Sequence, residues 1–258
     1  MVNSTRILTI QTAQRTMSVQ PLDAAKKLFC FIALLLILNL VGVYLVHILH
    51  VNTHAVQILV HFFDFNEEDN IPTFFSVLLL LLASSLLLII AKLEPIHKMA
   101  RRWLFLSAIF LFLSLDESIS IHERFSNLTN NVYHIDTSMG GYLHYSWVVP
   151  YALGLIILTV IYAPFIWQLP PFIRTFFVLS GCVFVTGAMG LEIIEAHYSV
   201  LHGVHNLHYA LLYTLEEVME MSGVVLFIYA LLTYIAQKHG EIKLSVTNSE
   251  QKPVVQGR

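Results

Sequence analysis

Charge is scarce in this chain. Asp, Glu, Lys and Arg make up 12% of its 258 residues, about half the usual share of a soluble domain. Mean hydropathy is +0.71. Together these values exclude a soluble globular domain and a disordered chain. Cysteine is nearly absent. Cys30 and Cys182 fall in apolar segments without ligand spacing; they say nothing about disulfides, and a thiolate metal site is excluded. Both read as small hydrophobes. Low-complexity tracts and internal repeats are missing, and nucleic acid is not an expected partner.

What is present is long apolar sequence. Runs able to cross about 30 Å of hydrocarbon fall near 28–49, 72–92, 103–122, 147–168, 174–197 and 209–236. The expected fold is therefore an all-α integral membrane protein, a six-transmembrane-helix bundle in a bilayer. Residues 1–27 are expected to form an N-terminal tail, 28–236 the membrane domain and 237–258 a disordered C-terminal tail. With six crossings, thirteen of the fourteen Lys and Arg fall on one side, all but Arg124. The positive-inside rule makes that side cytoplasmic and places both termini there.

Acids and histidines are distributed the other way. Thirteen of seventeen Asp and Glu, and eleven of thirteen His, fall on the outer side. Acids contribute little to orientation, so insertion does not force this asymmetry. Seven carboxylates also lie inside apolar runs: Asp116 and Glu117; Glu192 and Glu195; Glu216, Glu217 and Glu220. A charge at the bilayer centre is unfavourable by roughly 2.5–3.5 kcal/mol even on the mild insertion scale. Seven would total on the order of 20 kcal/mol, beyond the roughly 5–15 kcal/mol by which a domain is stable. A bound metal, held protons or water in a cavity must neutralise them.

Spacing groups these residues. Asp116, Ser120 and Glu123 follow at i, i+4 and i+7 on one helical stripe, and His122 caps the same helix. Glu192 and Glu195 share a face that continues to Ser199 and His202. Tyr213, Glu216 or Glu217, and Glu220 share another. In the first span His47, His50, His54, Gln57, His61 and Asp64 form a stripe if one helix continues. If the chain bends at Asn52-Thr53, only His47 and His50 stay near the acids. The acidic run Glu67-Glu68-Asp69 reads as a solvated loop. The expected metal ligands are Glu117, Glu192, Glu195, Glu216, Glu220, His122, His202, His47 and His50. Glu217 is the candidate general base, and Asp116 joins it as a catalytic candidate.

Carboxylates with a few imidazoles suit a divalent metal, iron foremost, with zinc or manganese as alternatives. The arrangement resembles the carboxylate-bridged dimetal proteins of the ferritin-like kind, in which Glu and Glu-x-x-His project inward from four helices. Glu192-x-x-Glu195 and Glu217-x-x-Glu220 keep the spacing with Glu in place of His, and no strict Glu-x-x-His occurs in a span. A fainter similarity, to membrane hydrolases of the alkaline ceramidase type, rests on Ser114, Asp116 and His122; a late His-x-x-x-His pair is lacking.

The inner halves of the spans carry no ionisable cluster, whereas a transporter path is marked by intramembrane ionisables. The expected function is thus a membrane metalloenzyme, oxidoreductase or hydrolase, with its site facing outward from a bacterial inner or plasma membrane. A lipid or small lipophilic molecule would be its substrate. The alternatives are a proton-coupled cation transporter and a metal or pH sensor without turnover.

Overall fold

The computed structural model describes residues 16–18, 20–122, 124–126, 128, 141–142, 144–240 and 243–245. Glu123 lies outside them. Helix α1 (Pro21–His47) starts on a proline at its first position, where the missing N–H has no intrahelical acceptor to lose. It begins seven residues before the apolar run expected from 28. After His47 the backbone turns, His50 takes a positive φ of 53°, and a short helix α2 (His54–Phe63) follows. The continuous histidine stripe is therefore broken at the bend.

Asn70 caps helix α3 (Ile71–Leu93), its side chain accepting from Thr73 N at 3.1 Å, the usual role of Asn at this position. Helix α4 (His97–Ile119) returns alongside α3 and stops at Ser120 in the left-handed region. The two hold each other through paired serines. Ser84 Oγ donates to Ser107 O, and Ser107 Oγ donates to Ser84 O, both at 2.8 Å. Small polar residues of this kind let membrane helices approach closely and bond across the contact.

Helix α5 (Val148–Ile166) is bounded by Trp147 and Trp167. The next segment is continuous: α6 (Pro171–Val185), a π-helical stretch at Thr186–Leu191, and α7 (Glu192–His202). Helix α8 (Leu207–His239), capped by Asn206, is the longest. Five stretches are long and apolar enough to cross a membrane: Pro21–His47, Ile71–Leu93, Val148–Ile166, Pro171–His202 and Leu207–Lys238. The chain is thus a helical, multi-pass membrane protein in character. Helix α4 has the same 23-residue length as α3 but carries Lys98, Arg101 and Arg102 at one end and Asp116 and Glu117 at the other.

Two three-residue strands complete the described fold. Strand β1 (Thr16–Ser18) pairs antiparallel with β2 (Lys243–Ser245), Thr16 opposite Ser245. So β2 falls in the segment expected to be a disordered tail. The core lies toward this end of the bundle. Trp103, Phe165 and Ile228 are fully buried, with the Trp103 ring edge-on to Phe165 at 4.8 Å. Glu94, in the α3–α4 turn, pairs with Lys238 near the end of α8.

Candidate functional site

At the opposite end, α4, α5, α6, α7 and α8 enclose a cavity of about 880 Å³. All seven intramembrane acids line it. Asp116 and Glu117 come from α4, Glu192 and Glu195 from α7, and Glu216, Glu217 and Glu220 from α8. Glycine makes this convergence possible. A Cβ at Gly187 would stand 3.0 Å from Glu216 O, and one at Gly223 would stand 2.8 Å from Phe184 N. Without side chains there, α8 packs directly against the α6–α7 segment at the level of its acids.

The π stretch ends immediately before Glu192. Such a stretch re-aims the face that follows it and is frequently found at functional sites. Here it presents Glu192 and Glu195 to the cavity. Glu195 is 3% exposed, and its Oε1 has no hydrogen-bond partner among the described residues. An unsatisfied buried acceptor of this kind is unfavourable by about 1–3 kcal/mol, more when charged.

Asp116 is fully engaged. It accepts from Tyr151 Oη at 2.9 Å and from the backbone N of His122 at 2.9 Å, and His122 Nδ1 stands 3.4 Å away. The left-handed turn at Ser120 folds the chain back so that His122 meets an acid six residues earlier. His122 lines the cavity, its ring edge-on to Trp147 at 5.1 Å. Trp147 Nε1 donates to Glu192 Oε1 at 3.1 Å. Tyr145 and Tyr209 bring their hydroxyls within 3.2 Å of each other, and burial pushes the Tyr145 hydroxyl up to about 12, so it is a neutral hydrogen-bonding group near pH 7.

Two acids are additions to the expected set. Glu67 and Glu68 line the cavity, and Ser120 Oγ donates to Glu68. Their loop is anchored by Asn39, midway along α1, which donates to Thr214 Oγ1 at 2.8 Å and accepts from Phe65 N at 3.2 Å. Glu67, Glu68 and Asp69 are exposed, as a solvated loop requires, and the first two also border the cavity. Nine carboxylates and one imidazole line the cavity, and the described lining holds no Lys or Arg.

Three expected histidines stand elsewhere. His47 and His50 sit at the end of α1, off the cavity lining, because the helix terminates there. His202 is exposed at the far end of α7 and stacks on Tyr198 at 4.5 Å. Among the described residues, no three His, Cys, Asp or Glu converge as they stand to hold a metal ion.

The chain belongs to the family described as Domain of unknown function (DUF8692), whose model matches residues 28–235. The DUF8692 segment covers the cavity and every acid that lines it. Neither the curated proteins nor the solved structures hold a match to the chain.

Proposed function

We propose that this DUF8692 protein is a membrane-embedded metalloenzyme. A divalent cation, iron foremost, would neutralise the acids and act on the polar end of a lipophilic substrate. The observation carrying this reading is a cavity with nine carboxylates, no Lys or Arg in its described lining, and a buried acceptor, Glu195 Oε1, left without a partner. Cation binding supplies the missing charge and the missing partner together. Asp116 bonds the backbone N of His122 and stands 3.4 Å from its Nδ1, a placement that a small ring rotation would turn into the carboxylate–histidine arrangement that orients a metal-binding imidazole. In this reading His122, Glu117, Glu192, Glu195, Glu216 and Glu220 supply ligands. Asp116 acts through His122, and Glu217 is the general base. The metal would supply either oxygen activation or a bound water of lowered pKa. Binding calls for carboxylate rotation, since no three of these groups converge as they stand.

The same reading takes α4 as a sixth crossing, both termini as cytoplasmic and the acidic end as outward-facing, in a bacterial inner or plasma membrane. Two features support it. The β1–β2 pairing brings both chain ends together, which an even number of crossings allows and five do not. Lys and Arg gather at that same end.

Elemental analysis of detergent-purified protein tests the proposal. Wild type is expected to carry stoichiometric metal, and an Glu195→Gln/Glu220→Gln variant of equal helicity is expected to carry none. A folded wild type that stays metal-free after reconstitution with ferrous, manganous and zinc salts overturns it.

A further inference from the structure

The cavity does not end at the acids. It continues along α4 from Glu117 back to Phe105 and along α8 from Glu217 on to Phe227. At 1.5 Å per residue these are runs of about 18 and 15 Å, close to half the roughly 30 Å hydrocarbon thickness. Its walls there are mostly apolar: Ile109, Phe110, Leu113, Leu158 and Phe177 all contribute.

One wall is loose. Only Val148, Tyr162 and Phe165 of α5 are buried. Val149, Leu153, Ile156 and Val160 form its outward stripe at helical spacing, while Ile157 and Ile161 both line the cavity and are 51% and 62% exposed. Across the gap on α4, Phe105 and Phe112 do the same at 57% and 45%. Tyr151 Oη to Asp116 and Tyr162 Oη to Arg102 O, each 2.9 Å, tie α5 to α4 at two levels, about 16 Å apart along the helix, and these four large apolar side chains mark a lateral mouth between the ties. In a bilayer it opens on acyl chains rather than on water. Gly154 on α5 and Gly181 on α6 also line the cavity, and a Cβ at either meets nothing within 4 Å.

We infer that the α4–α5 mouth admits a single-chain lipid sideways from the membrane, seating its hydrocarbon chain in the apolar trough and its small oxygen-bearing end at the acids. That this lipid is the substrate rests on the metalloenzyme reading; that it binds does not. One chain fits this space. The whole cavity, acidic end included, is about 880 Å³, within the roughly 300–1,000 Å³ typical of small-ligand sites, and its trough is one chain long. The mostly apolar trough and the oxygen-rich acidic end match the two ends of such a molecule.

The experiment uses a long-chain fatty alcohol carrying a photoreactive diazirine in its chain, added to the full protein in nanodiscs, with labelled residues mapped by mass spectrometry. Saturable labelling of Phe110, Phe177 or Phe227 is expected, competed by unlabelled fatty alcohol and not by two-chain phospholipid. Gly154→Phe and Gly181→Phe are expected to reduce it by about tenfold each, the loss from displacing a few buried methylenes, with metal content unchanged. Labelling that does not saturate, or that neither variant reduces, overturns the inference, as does equal competition by two-chain phospholipid. A metal-free wild type that still labels saturably overturns the metal reading and upholds this one. A metal-loaded protein without saturable labelling does the reverse.

Discussion

Tyr151 is the residue on which the orientation of His122 depends most testably. Its hydroxyl fixes one oxygen of Asp116 while the other holds His122. Tyr151→Phe removes that constraint and one hydrogen bond. Metal affinity is expected to fall about 10–100-fold, the usual effect of losing an outer partner of a ligand, as read by calorimetric titration of the metal-depleted protein. Asn39 has a different task. It is 2% exposed and bonds both α8 and the loop that carries Glu67 and Glu68. Asn39→Ala leaves the Phe65 N–H without its acceptor, while Thr214 Oγ1 keeps its bond to Ala210 O, and is expected to destabilise the protein by about 1–3 kcal/mol, seen as a lower thermal midpoint in detergent. These two residues also mark what the sequence revealed. Seven acids stood out because ionisable groups rarely interrupt apolar runs, and all seven line one cavity. Glu67 and Glu68 were hidden because their position depends on a contact from Asn39, 26 residues before Phe65. His47 and His50 were expected beside the acids if the chain bent at Asn52-Thr53; the backbone turns earlier, straight after His47, and both stand off the lining.

Among the elements, the contact between α8 and the α6–α7 segment sets the depth of the acids. Four glycines, Gly181, Gly187, Gly190 and Gly223, suggest close packing of these helices. Gly187 and Gly223 provide it; Gly181 opens on the cavity, and Gly190 faces its own π stretch. The two classes are expected to respond oppositely to one methyl group. Gly223→Ala pushes into the Phe184 backbone and is expected to lose about 1–3 kcal/mol through overpacking. Gly181→Ala meets open space and is expected to gain up to about 1 kcal/mol from helix propensity alone. Thermal unfolding of both variants checks the difference in sign. The π stretch itself left no mark in apolar spacing, since an extra residue in one turn between two apolar segments changes neither composition nor span length.

For the whole molecule, the proposed six-crossing topology is testable at the two strands that flank the helices. Five helices meet the length and composition of a crossing and β1 pairs with β2; in the proposed topology α4 makes the sixth crossing. A Thr16→Cys/Ser245→Cys variant is expected to cross-link within one chain under a short bifunctional thiol reagent. It is expected to be reached from the cytoplasmic side only. Absence of the cross-link in folded protein, or labelling of the two positions from opposite sides, overturns the six-crossing topology.

The adjacency of the two ends reaches beyond topology. Where strands that flank the first and last helices are neighbours, as β1 and β2 are, a short linker joins them and the polypeptide tolerates being opened elsewhere. The turn at Gln168–Pro170 joins α5 to α6, so a permuted chain with a linker from Ser245 to Thr16 that starts at Pro171 and stops at Pro170 keeps every described helix. It would also begin with the segment that carries Glu192 and Glu195, making the order in which acid-bearing helices enter the bilayer open to rearrangement.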